Sequence, residues 1–328
     1  MERRSGELED LPPLHLRPLR ALDLDAPGEP GRPSHLSAAS GVVRRGDFVY
    51  AIGDDELSLG VFRLSHPGPG TLRRVFAGDL PVDPDARGED KPDLEALTVL
   101  PPFARHPFGA LLGLGSGSGP ARDRGFVWAL AHDGSLRGEV QEIDLAPVYA
   151  LLREHAPELN VEGACAMGDR LWLLQRGLGE DGLNLVAELS LADVMASLRR
   201  DRRIDAHELA AIRAYDLGEL GGVKLTFSDA TPLGGQLLVF TASAEGPRGS
   251  LRDGEIRGSV VGTLDPAGTV HRLRTIDRRF KVEGVHATID SGVMDFLFVC
   301  DQDDPGSPSP LLSAAMPVDG SFERDDAP

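Results

Sequence analysis

The sequence predicts an all-β protein, a single five-bladed β-propeller whose own N-terminal strand closes the ring. Three observations support this class. A pair of short strands recurs five times, a charged outer strand follows the pairs, and one copy of that outer strand precedes the first pair. Repeats of this length that contain only short strands are typical of propellers, with one blade to each repeat.

The repeating unit is a small or acidic residue, a small residue, a short strand, a turn and a second apolar strand. Successive units begin 55, 67, 67 and 54 residues apart. We therefore expect blades that start near residues 40, 95, 162, 229 and 283. The opening residues are Ser40, Glu95, Glu162, Asp229 and Glu283.

The outer strands predict how the ring closes. The copy at residues 15–24 comes before any complete blade, and it can pair only with the last blade, next to a third strand at about 310–317. Its charged face suits an edge strand. We expect one propeller domain over 15–318, with flexible tails at 1–14 and 319–328.

Two segments depart from the strand pattern. Residues 146–156 have helical spacing with a proline in the first turn, and residues 191–212 predict two short helices interrupted near Asp201. Both lie between blade strands, and we interpret them as short helical insertions.

Composition limits the partners and the compartment. A net charge of −18 argues against nucleic acids and anionic membranes, which need a basic surface. The N-terminus lacks the apolar core of a signal peptide, and no segment is apolar enough to span a membrane. Cys165 and Cys300 fall in non-adjacent blades, so a disulfide is not expected. We expect a cytoplasmic monomer.

One end of the propeller is expected to collect carboxylates. The first two strands of a blade are antiparallel, so the residue that opens one and the residue that closes the next share an end. Four of the five openers are acidic. Crowded carboxylates either have raised pKa values or need a counter-charge. The closing residues are Asp54, Asp55, Ser116, Arg176, Ser243 and Asp301.

The counter-charge has two explanations. Oxygen ligands without a Cys/His cluster favour Ca²⁺, ahead of Mg²⁺. Alternatively, the acids pair with lysine and cap backbone N–H groups. The predicted metal ligands are Glu95, Glu162, Asp229, Glu283, Asp54 and Asp301.

Lysine is confined to the approach to these acids. The only three lysines are Lys91, Lys224 and Lys281, and each lies two to five residues before a ring acid. A compact ammonium differs from the planar guanidinium of arginine, which the chain otherwise uses. The lysines are predicted to bind an anionic ligand; local ion pairs are the alternative.

A glycine-serine loop at residues 115–119 is a second candidate for anion binding. Its backbone N–H groups could form an anion nest, and Arg122 and Arg124 follow it. No lysine follows as in a P-loop, and a flexible hairpin loop is the alternative. From this reasoning Ser116, Ser118, Arg122 and Arg124 are predicted ligand-binding residues, together with the hydroxyl of Ser243.

Three short motifs carry a resemblance to known families. Residues 91–97 (KPDLEAL), 160–163 (NVEG) and 281–284 (KVEG) resemble entries of phytase-esterase-like bacterial propellers, and the set is similar to calcium-dependent apyrase-type and SdiA-regulated propellers. The resemblance implies an axial calcium and, in some relatives, hydrolysis of phosphoesters or esters. The chain departs from it at Ser40, at Ala96 and in having no export signal.

Two functions follow. The first is a metal-dependent hydrolase of a small anionic ester, with Glu95 or Glu283 as base and Arg176 and the lysines holding the anion. The second is a non-catalytic propeller that binds a small molecule or a protein, with a structural ion or an ion-pair ring at its axis.

Overall fold

Five antiparallel sheets stand around a common axis in the computed structural model, which confirms the predicted five-bladed propeller. The structure describes residues 3–81, 83–177, 183–205, 209–246, 256–302 and 304–318. Inner strands of successive blades contact one another, and the fifth inner strand contacts the first. The ring is therefore closed.

Each blade contains four antiparallel strands in simple order from the axis outward. Two strands, β1 (Arg3–Ser5) and β2 (Arg17–Ala21), precede blade one. Blade one contains β3 (Ala39–Arg45), β4 (Phe48–Gly53), β5 (Ser58–Arg63) and β6 (Thr71–Arg74). Blade two contains β7 (Leu94–Leu100), β8 (Ala110–Gly115), β9 (Arg124–Ala129) and β10 (Gln141–Asp144). Blade three contains β11 (Val161–Met167), β12 (Arg170–Gln175), β13 (Asn184–Ser190) and β14 (Ala211–Asp216).

A small hairpin separates the third and fourth blades; its strands are β15 (Glu219–Leu220) and β16 (Val223–Lys224). Blade four contains β17 (Thr226–Leu233), β18 (Leu237–Glu245), β19 (Ile256–Leu264) and β20 (Val270–Thr275). Blade five contains β21 (Val282–Asp290), β22 (Val293–Cys300) and β23 (Pro310–Pro317), with β2 as its outer strand.

Three short α-helices occur in the described residues. The first, α1 (Pro84–Asp90), is not predicted by the sequence; the Asp83 side chain caps it by accepting the N–H of Ala86. The second, α2 (Ala146–Arg153), confirms the first predicted insertion. The third, α3 (Leu191–Asp201), ends where Arg202 has a left-handed backbone with φ 52°. The prediction of helix up to residue 212 is wrong at its end, because Ala211 already begins β14; residues 206–208 lie outside the described residues.

The hydrophobic core is divided among the junctions between blades. Five clusters of buried side chains correspond to the five junctions; for example, Tyr50 of blade one packs with Phe126 of blade two. Each large apolar side chain contributes about 1.5–3 kcal/mol when it is fully buried. The blades are therefore held face to face by apolar packing.

The N-terminal segment crosses four blades. β2 pairs with β23 in antiparallel register, as predicted. Before it, β1 pairs in parallel with β14 of blade three, and the N–H of Leu14 donates to the carbonyl of Thr275 in blade four (2.8 Å). After it, the N–H of Asp25 donates to the carbonyl of Gly70 in blade one (2.9 Å). We call residues 3–25 the N-terminal belt.

Of the two predicted tails, 1–14 and 319–328, the structure describes most of the first and none of the second. Residues 3–14, which the sequence analysis assigns to a tail, make the strand and backbone contacts of the belt. The other tail, 319–328, lies outside the described residues. Within the described part of the chain, no helix has the length and apolar character needed to cross a membrane.

Candidate functional site

A β-bulge opens every inner strand. In each blade the pairing between the first two strands shifts by one residue at this point, which leaves one residue unpaired. We call the end of the propeller where the inner strands begin the mouth. The unpaired residues are Ser40, Glu95, Glu162, Ser228 and Glu283.

The register in blade four differs from the expected alignment. Ser228, not Asp229, is the unpaired residue, and Asp229 lies opposite Thr241. In the other blades, the residue after the unpaired one is glycine or alanine, as at Gly163. A Cβ atom placed on Gly163 would lie 2.9 Å from the backbone of Asp229, so the inner strands pack too closely there for a larger side chain. The sequence Ser-Asp-Ala allows either alignment, which is why the repeat alone assigned Asp229 to the ring.

Asp229 connects two blades. One carboxylate oxygen accepts the N–H of Ala230 (2.7 Å), and the other accepts the N–H of Val285 in blade five (2.7 Å). The side chain is fully buried, and burial raises its pKa well above the usual range, although the two N–H groups oppose the shift. Asp229 thus caps one backbone N–H group in each of two adjacent blades.

The first half of the ring surrounds Lys91, which directly follows α1. Its ammonium contacts the carboxylate of Asp54 and lies 2.8 Å from Asp93 Oδ1. Although burial opposes the shift, the charges of these two carboxylates raise the pKa of Lys91. Asp93 is buried and has a left-handed backbone with φ 54°, a conformation that only a few residue types tolerate.

Three carboxylates crowd together beside this lysine. Oxygen atoms of Asp54, Asp93 and Glu95 all lie within 4.8 Å of one another. The buried Oδ1 of Asp54 has no hydrogen-bond partner, and burial raises the pKa of Asp54 to about 6. Glu95 makes no hydrogen bond or ion pair with any residue the structure describes. Burial, followed by the charges of Glu162, Asp93 and Asp54, raises the pKa of Glu95 well above its usual range.

The glycine-serine loop contacts the same group through Asp93. Ser116 donates its hydroxyl to Asp93 Oδ2 (2.5 Å), and Ser118 donates to the same oxygen (3.3 Å). Arg122 reaches Asp93 Oδ2 (3.0 Å), Ser118 Oγ (2.5 Å) and the carbonyl of Gly88 in α1 (2.8 Å). The loop is thereby fixed to the mouth, with Ser118 exposed and Ser116 buried.

The second half of the ring surrounds Arg176. Its guanidinium donates to Glu162 Oε1 (3.3 Å) and to Glu245 Oε2 (2.5 Å). Asn160 Nδ2 donates to the same Glu162 oxygen (2.6 Å). Burial raises the pKa of Glu162 to about 8, even though Arg176 favours the ionised form.

Lys281 completes this half. Its ammonium lies 3.4 Å from Glu283 Oε1, 3.3 Å from Asp301 Oδ2 and 3.9 Å from Glu245 Oε1. Burial raises the pKa of Glu283, and the charge of Lys281 partly offsets this effect. Arg176 and Lys281 are therefore joined through Glu245.

Three predicted ligand-binding residues lie apart from these groups. Lys224 is exposed in the hairpin, opposite Glu219. Arg124 pairs with Glu142 (2.7 Å) and stacks over the ring of Phe76 at 4.0 Å. Ser243 is fully buried. Its hydroxyl bonds to the carbonyl of Val282 (3.1 Å) and to the hydroxyl of Ser259 (2.9 Å).

The structure also brings in residues that the sequence reasoning missed. Asp93 joins Lys91, the serine loop and Arg122, and its signal was its place two residues after Lys91 in the first motif. Glu245 was missed because β18 was expected to close at Ser243, two residues early. Asn160 precedes the motif glutamate and orients it.

The arrangement has two chemical capacities. In the first half, carboxylate oxygens outnumber the nearby ammonium, so a hard cation has ligands there. In the second half, cations and carboxylates alternate in short contacts, which fixes a guanidinium and an ammonium close together. The fold and the mouth define the class of this protein, a five-bladed propeller with a ring of mixed charge at one end of its axis.

The chain belongs to a family of unknown function, DUF6929, whose model matches residues 35–316. No curated protein sequence matches it. The family match does not confirm the resemblance to phytase-esterase-like, SdiA-regulated or apyrase-type propellers.

Several solved structures are similar in fold. The catalytic domain of the GH62 α-L-arabinofuranosidase from Coprinopsis cinerea has a TM-score of 0.51 and 11% identity, over 93% of this chain and 96% of that chain. A luciferin-regenerating enzyme has a TM-score of 0.43 and 10% identity, over 87% and 93%. Virginiamycin B lyase from Staphylococcus aureus has a TM-score of 0.39 and 11% identity, over 86% and 80%. At 11% identity the likeness to the arabinofuranosidase domain concerns the fold alone.

Proposed function

We propose that this protein is a metal-dependent hydrolase of a small anionic ester and that its reaction takes place at the mouth. The observation that carries the proposal is the group formed by Asp54, Asp93 and Glu95. Their oxygens lie within 4.8 Å of one another, and Glu95 has no partner among the described residues. Perturbed carboxylates of this kind concentrate at functional sites.

The residues fit a hard cation, Ca²⁺ ahead of Mg²⁺. All the available donors are oxygens, and the buried Oδ1 of Asp54 lacks a hydrogen-bond partner. Asp54, Asp93 and Glu95 would hold the ion, which would supply positive charge to polarise the ester oxygen. The same charge would lower the pKa of Glu95, so that this side chain is ionised at neutral pH.

The chain's own residues then have distinct roles. Glu95 accepts a proton from water while the water oxygen bonds to the carbon or phosphorus of the ester. The bond from that atom to the alcohol oxygen then breaks, and protonated Glu95 returns the proton to the departing alcohol. Arg176 and Lys281, fixed by Glu245, attract the anionic group from the other side of the mouth. Glu283, 3.4 Å from Lys281, is the second candidate base.

The test combines a metal titration with turnover. Purified protein would be melted in Ca²⁺, Mg²⁺ and chelator, then assayed with p-nitrophenyl phosphate and p-nitrophenyl acetate. Ca²⁺ at about one hundred times its Kd should add about 2.7 kcal/mol of stability. Glu95→Gln should remove both this gain and the turnover, whereas Glu142→Gln on the outer strand β10 should change neither. Arg176→Ala should raise KM for the phosphate ester.

Two results would contradict the proposal. One is a melting temperature that neither ion nor chelator changes. The other is turnover that survives Glu95→Gln.

A second function is favoured by the other half of the ring. Arg176 and Lys281 already contact carboxylates at 2.5 to 3.9 Å, an arrangement that suits a structural ion-pair ring in a non-catalytic binding propeller. In that case Glu162→Gln should change stability by the same amount in Ca²⁺ and in chelator. The hydrolase proposal instead requires Glu95, not Glu162, to govern the response to Ca²⁺.

A further inference from the structure

The face opposite the mouth carries a cluster of exposed arginines over blades one and two. Arg44 and Arg45 end β3, and Arg63 ends β5. Because β3 starts at the mouth and β5 runs in the same direction, these ends lie on the opposite face. Arg105 and Arg137 lie in the loops that follow β7 and β9 of blade two. All five are exposed, and we call them the basic face.

The two blades make this face continuous. The Tyr50 hydroxyl of blade one donates to the carbonyl of Gly134 in blade two (2.6 Å). His132, in the same loop as Gly134, packs edge-to-face with Phe108, and the two ring centroids are 5.4 Å apart. Phe108 is 40% exposed, so the surface includes one large apolar side chain beside the arginines.

The arginines of this face have few acidic partners. Hydrogen bonds from Ser65, followed by the charges of Arg63 and Arg44, lower the pKa of Asp47. In the part of the chain that the structure describes, Arg44, Arg45, Arg105 and Arg137 form no ion pair, and Arg63 lies 3.7 Å from Asp47. The loops that carry or adjoin these arginines in blades one and two also contain Asp47, Asp133 and Glu139. Asp47 accepts from Ser65 (2.8 and 2.7 Å), and Asp133 accepts from Ser135 (3.0 and 2.7 Å).

The positive charge of this face extends to neighbouring histidines. Burial lowers the pKa of His286 to about 4, and the charges of Arg44 and Arg45 add to the effect. Burial likewise lowers the pKa of His106, with a further contribution from Arg137. The charges of these arginines therefore reach neighbouring side chains on this face.

We propose that the basic face binds a short acidic segment of a partner protein. Guanidinium groups form bidentate pairs with carboxylates, and exposed Phe108 offers a contact for an apolar side chain within such a segment. A long nucleic acid fits less well, because the net charge of −18 repels an extended polyanion, whereas a short peptide contacts only the local cations. The inference is independent of the proposed hydrolase.

The experiment uses fluorescence anisotropy with a labelled polyglutamate peptide that contains one central phenylalanine. The intact protein should bind it, with an affinity that falls as salt rises. Arg44→Glu/Arg45→Glu should weaken binding about tenfold or more, which corresponds to about 1.4 kcal/mol. The matched control is Arg199→Glu/Arg200→Glu, an adjacent exposed pair on α3, which makes the same change in net charge elsewhere. Arg137→Ala, a milder change, should weaken binding in the same direction.

Several outcomes would overturn the inference. The basic face is not the site if the peptide fails to bind or if both double variants weaken it equally. Tighter binding of a DNA oligonucleotide than of the peptide would identify a nucleic acid as the ligand instead. Sedimentation that shows self-association of the intact protein, lost in Arg44→Glu/Arg45→Glu, would identify a second copy as the occupant. The melting temperatures of the basic-face variants should match that of the intact protein, since the altered side chains are exposed. The control loses the ion pairs of Arg200 with Asp201 and Asp205, so its melting temperature is measured to establish that it is folded under the conditions of the binding assay.

Discussion

Replacing Leu22 with alanine tests whether the N-terminal belt closes the ring. Leu22 follows β2, is fully buried, and belongs to the apolar cluster between blades five and one. Leu19 lies within β2 itself but is 50% exposed. The two leucines therefore provide the same substitution in one short segment, at a buried site and at an exposed site.

The expected cost follows from burial. A buried leucine replaced by alanine loses its transfer free energy and leaves a cavity, and together these destabilise proteins by about 2.7–5 kcal/mol. We expect Leu22→Ala to lower the free energy of unfolding by about 3 kcal/mol, and Leu19→Ala by less than about 0.5 kcal/mol. With an unfolding entropy of about 2.1 cal/mol/K per residue, 3 kcal/mol corresponds to a fall of about 4 °C in melting temperature.

Equilibrium unfolding in urea, followed by tryptophan fluorescence, measures the difference. The slopes should be similar and the midpoints should separate. Equal midpoints for the two variants would show that the belt is not docked in the cluster between blades five and one, and the account of ring closure would fail.

Three further predictions concern buried polar groups. Asp229→Asn should lower the free energy of unfolding by about 1–3 kcal/mol, because the amide must turn its NH₂ toward one of the two backbone N–H donors. The control is Asp295→Asn, which changes an exposed side chain in β22. Equal stabilities of the two variants would contradict the contact between blades. In chelator, the protein should lose stability as pH rises from about 5 to 8, because a carboxyl whose folded pKa is raised, such as Glu162 at about 8, stabilises the fold only while protonated. In Glu162→Gln the free energy of unfolding should depend less on pH. An increase in the stability of the unchanged protein between pH 5 and 8 would contradict the prediction. Cys165 and Cys300 are buried with raised pKa values, so a thiol reagent at neutral pH should label them only after unfolding.

The repeat predicted the blades because inner and second strands are apolar and regular, and their pairing follows from the hydrophobic pattern. It could not place the bulges, since a bulge is a property of pairing with the neighbouring strand. In blade four, Ser228 and Asp229 both suit the unpaired position by residue type. Only the backbone of Val285, presented by the next blade, decides that Asp229 faces the junction.

The sequence indicated several residues of the mouth but not all of the contacts between them. Lys281 and Arg176 lie beside the ring acids Glu283 and Glu162, because each directly adjoins an inner or second strand. Lys91, three residues before β7, instead pairs with Asp54 and Asp93. Glu245 belongs to blade four yet joins Arg176 of blade three to Lys281, which precedes blade five. A contact across three blades depends on their packing, and no short motif in one segment encodes it.

The N-terminal belt has a consequence for synthesis on the ribosome. Residues 3–25 are synthesised before β14, β20 and β23, against which most of this segment rests, and these strands follow in that order. The segment that precedes blade one is thus placed only after these later strands exist, one blade at a time, and β2 pairs with β23 only after all five inner strands have been made. A chain that stalls before β23 keeps the edge of β22 and the apolar face of Leu22 in solvent, where chaperones and proteases distinguish unfinished chains from finished ones.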